Sequence, residues 1–369
     1  MQKRRLGRTN LHVSIVGFGG MHIYPSSYLP EMSYADGVKV VRRAYELGIN
    51  YFDTARGYGN GESEERIGAA LEDVRDQCVL ATKTGSRTRK ESMDDIKESL
   101  RRLRTNRLDI IQLHGIDDME TLEKAMGSGG VLESCKEARS KGLVDYIGIT
   151  GHRPNVLAEA LKTNEFDTVL VPISVLTRQA LEILVPVAKD LNVGVVVMKA
   201  LAFKISNIMT WTYAEPLGLF PDEADLKGFL GEDRNARVRN ALRWVLAQDI
   251  HTIALGLGSV KQVKFAAKIG EEFNGLTAEE KERFTVQRKT EYCRDCGFCL
   301  PCPQGLNISG ILKIYDLATA YRLRNWAKKI YRPFTVKAEN CNECGECEPK
   351  CPHNLPIMNM LKDASKALS

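Results

Sequence analysis

The sequence predicts an α/β chain: a (β/α)8 TIM barrel followed by a small cysteine-rich domain. Three observations carry this prediction. Short β-branched runs alternate eight times with amphipathic helical stretches, and several runs are nearly all apolar, as in Val193-Gly194-Val195-Val196-Val197-Met198. Eight of the ten cysteines follow residue 292. Apolar runs suit strands covered on both faces, and eight βα units in roughly 275 residues match a barrel in count and size. An open doubly wound sheet shares the local pattern, because closure leaves no mark in the sequence. The 369 residues, 43% hydrophobic, allow one large domain and one small one, since a domain uses about 100–250 residues. The boundaries expected are 1–285 for the barrel and 286–369 for the cysteine domain.

In order, the expected strands are Val13–Gly19, Asn50–Ala55, Gln77–Thr84, Arg107–His114, Tyr146–Gly151, Thr168–Val175, Gly194–Leu201 and Thr252–Ser259. Helical periodicity fills the intervals, for example Ala35–Leu47, Glu64–Glu72, Ser92–Leu103 and Arg178–Leu191. Gly17-Phe18-Gly19-Gly20 invites a dinucleotide fingerprint, but the next helix begins only near Ala35, after Pro25 and Pro30. That fingerprint needs a helix N-terminus directly after its glycines, so a tight strand exit is expected instead. No apolar stretch reaches the ~18 residues that span a bilayer. The basic start, Met1-Gln2-Lys3-Arg4-Arg5, lacks the apolar segment of a secretory leader. A cytoplasmic location is expected.

Chemistry in such a barrel sits at the C-terminal strand ends. There the sequence places Asp53 after the second run, Tyr58 in the following loop, Lys83 at the end of the third and His114 at the end of the fourth. Each has an ordinary structural explanation alone; together they meet the needs of carbonyl reduction. Hydride delivered to a carbonyl carbon leaves negative charge on oxygen, so a positioned proton donor must meet it. Tyrosine has an ordinary pKa of about 10, and a neighbouring ammonium favours phenolate and lowers it. Lys83 is expected to do this to Tyr58, with Asp53 holding the lysine and His114 bonding the substrate oxygen.

Asn50-Tyr51-Phe52-Asp53-Thr54-Ala55, Tyr58-Gly59-Asn60-Gly61-Glu62-Ser63-Glu64, Ala81-Thr82-Lys83 and Leu113-His114 resemble the aldo/keto reductase family, as does Ser99–Leu103 before Leu108-Asp109. The resemblance runs from about Leu6 to Phe273 and implies an Asp53–Tyr58–Lys83–His114 tetrad with Tyr58 as general acid. It also implies NADP or NAD lying across the barrel mouth and a small carbonyl or alcohol substrate. Cofactor positions follow: Gly20 and Met21 at the first strand exit, and Gly258, Ser259, Lys261 and Gln262 for the adenosine phosphates. Ser259 and Gln262 have the spacing of a capping box, and a helix start can receive phosphate. At the nicotinamide end the chain departs from the family. Thr150-Gly151-His152 replaces Ser-Asn, Ser174 stands near a missing glutamine, and Met198-Lys199 takes an aromatic's place. Phe203–Gly231, with Trp211, Tyr213 and Phe220, is a long insertion that lines the site, closes over it or runs along the surface.

The cysteine motifs are Cys293-x2-Cys296-x2-Cys299-x2-Cys302-Pro303 and Cys341-x2-Cys344-x2-Cys347-x3-Cys351-Pro352. The second matches the bacterial ferredoxin run and the first is one residue shorter. A triple repeat ending in Cys-Pro is unlike a zinc site, and disulfides need an oxidising compartment. Two [4Fe-4S] clusters are expected, one on Cys293, Cys296, Cys299 and Cys351, the other on Cys341, Cys344, Cys347 and Cys302. A branch of the resembled family carries such a ferredoxin-like extension, here about Glu291–Met360.

Between the motifs, Lys313–Lys337 holds seven basic residues and one acid, Asp316, with Tyr315, Tyr321, Trp326 and Tyr331 interleaved among them. A solvated helix packed on the clusters is expected, then docking of an acidic ferredoxin- or flavodoxin-like redox partner, and nucleic acid last. A reading from another class stands beside the reductase: an electron-transfer or redox-sensing protein whose barrel binds dinucleotide without turnover. Hydride carries two electrons and each cluster one, and no flavin signature mediates between them.

Overall fold

A computed structural model describes residues 1–26, 29–201, 203–205, 208–211, 224–286 and 291–369. Eight parallel strands close into a barrel: β1 Val16–Gly19, β2 Tyr51–Asp53, β3 Val79–Thr84, β4 Leu108–Leu113, β5 Val144–Thr150, β6 Thr168–Pro172, β7 Gly194–Met198 and β8 Thr252–Gly256. β8 pairs with both β7 and β1, which excludes the open sheet. Seven of the eight expected runs contain one of these strands, and the fifth, Tyr146–Gly151, overlaps a strand that begins two residues earlier, at Val144.

The barrel interior is filled by alternate residues, among them Tyr51, Val79, Ala81, Ile110, Leu170, Val196 and Ala254. An antiparallel hairpin, Lys3–Arg5 with His12–Ser14, brings Leu6 and Val13 into the same cluster. The bottom is therefore plugged by apolar side chains and the opening lies at the C-terminal rim. A much larger apolar layer joins the outer strand faces to the helices.

The helices follow the periodicity with small shifts, at Tyr34–Glu46, Glu62–Leu71 and Arg89–Arg102. Ser33 and Thr88 cap the first and third by accepting from main-chain amides. The expected single helix over 178–191 is instead two, Gln179–Ile183 and Val185–Asp190. Pro186 is the cause: its nitrogen has no hydrogen for the carbonyl of Glu182, and its ring crowds that carbonyl. After β1 the chain turns through a short 3-10 helix, Gly20–His22, as the strand-exit reading requires.

Of the long insertion, Phe203–Ile205 and Ile208–Trp211 form an antiparallel hairpin and Ala224–Leu230 a helix. Tyr213 and Phe220 lie outside the described residues, as do 287–290 beside the expected domain boundary.

The C-terminal domain is built on helices Ile308–Thr319, Arg324–Tyr331 and Ile357–Leu368, which bury Ile311, Ile314, Trp326 and Leu361. Tyr321, Trp326 and Tyr331 are buried core, while Tyr315 and Phe334 are half-buried. Lys313 is buried too, whereas Arg322, Arg324, Lys328, Lys329 and Arg332 are exposed. The domain packs on the barrel through Tyr321 against Phe229, with Arg178 lying over both Tyr321 and Trp244. Asp225 accepts from the amides of Asn325 and Trp326, at the start of the middle helix.

Candidate active site and cluster centre

Strand alternation aims Asp53, Lys83, Gln112 and His114 at the barrel mouth, because each shares parity with an interior residue: Tyr51, Ala81 and Ile110. Lys83 and Gln112 are register partners on β3 and β4. Lys83 Nζ donates to Asp53 Oδ1 at 2.5 Å and to the Thr54 carbonyl at 2.6 Å. Gln112 Nε2 donates to Asp53 Oδ2 at 2.8 Å, so both carboxylate oxygens are held. Gln112 is absent from the sequence expectation; its parity with His114, two residues on, was the signal for it.

Tyr58 opens the 3-10 turn Tyr58–Gly61, whose Gly59 and Asn60 are left-handed at φ 57° and 53°. A Cβ at Gly59 would stand 2.6 Å from the Tyr24 ring, so the turn needs glycine for both backbone and space. The turn carries Tyr58 over Lys83, whose Nζ lies 5.0 Å from the ring centroid and hydrogen-bonds its hydroxyl. His114 meets the same ring edge-on, with centroids 6.1 Å apart.

The electrostatics correct one expectation. Burial raises the Tyr58 phenol, and the opposing pull of Lys83 only offsets it in part. Tyr58 thus rests as the neutral phenol, a proton donor. Lys83 itself lies above its ordinary value: burial opposes its charge, but Asp53 and Tyr58 outweigh burial. Burial, with the charge of Lys83, pushes His114 down to about 3, so its ring is neutral near pH 7.

The residues expected at the nicotinamide end fall into two groups. His152 and Lys199 meet directly, Lys199 Nζ lying 2.8 Å from His152 Nε2, while His152 Nδ1 is 3.0 Å from Asp117 Oδ2. An ammonium cannot accept, so Nε2 accepts and the ring hydrogen sits on Nδ1, facing the carboxylate. Thr150, at the end of β5, and Ser174 are buried, and Ser174 forms a tight turn with Thr177. Met198 ends β7 against the interior cluster.

On the other side of the mouth, Gly20 accepts from Ser63 Oγ at 2.8 Å and Met21 is exposed at 39%. Ser259 caps the helix Val260–Glu272 by accepting from the Gln262 amide. The expected capping box is altered: Gln262 Oε1 takes the amide of Gly258 at 2.8 Å, one residue before the cap. Gly258, Ser259, Val260, Lys39 and Asp36 line a cavity of about 500 Å3, and a Cβ at Gly258 would lie 2.5 Å from Leu29. Lys261 and Lys264 are exposed beside it. An open groove at a capped helix start, with lysines at its edge, fits a dinucleotide's phosphates.

In the small domain all eight cysteines are free thiols, as are Cys78 and Cys135 in the barrel. Charge interactions group Cys293 with Cys296 and Cys299, Cys296 with Cys351, and Cys347 with Cys341 and Cys344. Cys302 lines one small cavity with Cys341, Cys344, Cys347 and Cys299. Cys351 thus lies beside cysteines of the first motif, and Cys302, together with Cys299, beside those of the second. Among the described residues no three His, Cys, Asp or Glu side chains converge on a single ion. A cubane binds four thiolates, each through its own iron. Burial pushes the Cys299 thiol up to about 12.

Residues 15–208 match the model of the aldo/keto reductase family, and residues 292–356 that of a 4Fe-4S dicluster domain. The uncharacterised oxidoreductase YqkF of Bacillus subtilis (strain 168) is 28% identical over 293 residues, 72% of this chain and 89% of its own. L-galactose dehydrogenase of Arabidopsis thaliana is 28% identical over 326 residues, 83% of this chain and 98% of its own. The holo form of aldo-keto reductase AKR11C1 from Bacillus halodurans superposes with a TM-score of 0.62 at 31% identity, covering 77% of this chain and 95% of that one. The likeness to these relatives spans the barrel, and a match over more than half of the 369 residues shows that the chain belongs to the aldo/keto reductase family.

Proposed function

We propose that the barrel, residues 1–285, is an NAD(P)H-dependent carbonyl reductase or alcohol dehydrogenase, and that residues 286–369 carry two [4Fe-4S] clusters. The observation that carries this reading is the donor geometry: a neutral Tyr58 phenol hydrogen-bonded to a lysine that Asp53 and the Thr54 carbonyl hold, with Gln112 in turn holding Asp53. A reduced dinucleotide supplies hydride when bound. Tyr58 gives its proton to the carbonyl oxygen, which becomes the hydroxyl of the product. Lys83 offsets the cost of leaving phenolate in a buried site, and Asp53 and Thr54 keep its ammonium aimed at the phenol. Neutral His114 bonds the same substrate oxygen and sets its angle to Tyr58.

Thr150, His152, Ser174, Met198 and Lys199 would face the nicotinamide, with Gly20 and Met21 across the mouth. Gly258, Ser259, Lys261 and Gln262 would hold the adenosine phosphates. Lys39, Lys261 and Lys264 suit an extra phosphate, while Asp36 and Glu31 on the same cavity suit a free ribose, so NADP and NAD both belong in the test. Eight thiolates held as cluster ligands suit a reducing compartment such as the cytoplasm. The exposed basic row from Arg322 to Arg332 suits an acidic redox partner.

Anaerobic oxidation of NADPH and NADH against aldehydes and quinones tests the activity. Tyr58→Phe is expected to lose turnover and keep dinucleotide affinity; unchanged turnover would remove Tyr58 from its role.

A further inference from the structure

Asp295 lies between two proposed cluster ligands, Cys293 and Cys296, yet its carbonyl and carboxylate are bound by residues outside that motif. Its main-chain carbonyl accepts from Arg153 Nη1 at 2.5 Å, and its Oδ1 lies 3.3 Å from the same nitrogen. Its Oδ2 lies 3.4 Å from Lys313 Nζ, and its amide donates to Cys293 Sγ at 3.4 Å. Asp295 sits at φ 56°, a left-handed conformation that a loop keeps only when its surroundings hold it. Arg153 also packs against Gly297, the residue after Cys296. The ligand loop, the first helix of the small domain and the barrel rim thus meet on one side chain.

Arg153 directly follows His152, the residue locked between Asp117 and Lys199. Asp117, His152, Arg153, Asp295 and Lys313 enclose one cavity of about 160 Å3. The side chains of Arg153, Asp295 and Lys313 are 25%, 18% and 5% exposed, so their attraction is only partly screened by solvent.

We propose that Arg153 and Asp295 couple the first cluster to dinucleotide binding. Iron ligation by Cys293 and Cys296 fixes the loop between them; Asp295 then fixes Arg153, and Arg153 fixes His152 and its partner Lys199. Arg153 and Asp295 are positioning residues in this scheme, which rests on the proposed role of His152 and Lys199 at the nicotinamide end. Coupling of this kind is reciprocal, so dinucleotide must stabilise the cluster as much as the cluster stabilises dinucleotide binding.

The test follows iron loss from the anaerobic holoprotein to a chelator by visible absorbance, with and without saturating NADP+, beside a fluorescence titration with NADPH. The expected result is that NADP+ slows one phase of iron loss about fivefold or more and leaves the other phase unchanged. Arg153→Met and Asp295→Asn are expected to weaken NADPH binding and abolish the protection, and Arg153→Lys to restore part of it. Equal slowing of both phases, or full protection in Arg153→Met, would overturn the coupling. The measurement on the unsubstituted protein decides even if a variant fails to assemble its cluster. Failure of NADPH to bind at all would instead overturn the dinucleotide reading on which this rests.

Discussion

Lys83→Met keeps the length of the side chain and removes the charge from a pair whose side chains are 1% and 5% exposed. Asp53 is left with Gln112 as its donor, a carboxylate enclosed in a dry barrel mouth. Removing one partner of a buried pair costs about 3–5 kcal/mol, because the remaining charge has lost its compensation. Adding Asp53→Asn removes the stranded charge, so the double variant should regain about 2–3 kcal/mol over Lys83→Met. Urea unfolding under anaerobic conditions, read by far-ultraviolet ellipticity beside cluster absorbance, separates the barrel from the small domain. With a slope of about 3 kcal/mol per molar, the midpoint falls by about 1–2 M for Lys83→Met. The folded lysine titrates above its ordinary value, so its contribution is complete below about pH 10 and is lost as pH rises through the folded value. Profiles at pH 7 and 9 should therefore agree. A Lys83→Met midpoint equal to the parent's, or a double variant less stable than Lys83→Met, would refute the reasoning.

His114 titrates at about 3 when folded and near its ordinary value when unfolded, so the unfolded chain binds the extra proton between those limits and stability falls as pH falls. His114→Asn should flatten that slope between pH 6.5 and 4, measured as urea midpoints; an unchanged slope would assign it to other groups. Cys351→Ser should abolish the cluster shared with Cys293, Cys296 and Cys299 and roughly halve the bound iron. Cys302→Ser should do the same to the other cluster. Iron and sulfide analysis with electron paramagnetic resonance tells them apart, and loss of the same signal from both variants would refute the crossed assignment.

Much of this protein is local and therefore legible. Strand runs, the strand-end positions of Asp53, Lys83 and His114, and cysteine spacing all depend on near neighbours in the chain. The departures arose where periodicity hid a competing local contact or a partner from another strand. Pro186 broke a helix whose periodicity continued through it. Gln262 chose the amide of Gly258 over that of the cap. Gln112 looked like one more residue of an apolar strand until the register set it beside Lys83 and its side chain on Asp53.

By itself the sequence determined the number of βα units, the residues brought to the rim and the two cysteine motifs, because period-two alternation and ligand spacing are short-range constraints. Only the tertiary structure decided closure, the direction of the Tyr58 shift and the docking of Asp295 on Arg153. Each of those depends on how deeply a charge is buried and on which far-off group faces it. Burial and facing are properties of the packed chain, and Asp295 and Arg153 are 142 residues apart until it packs.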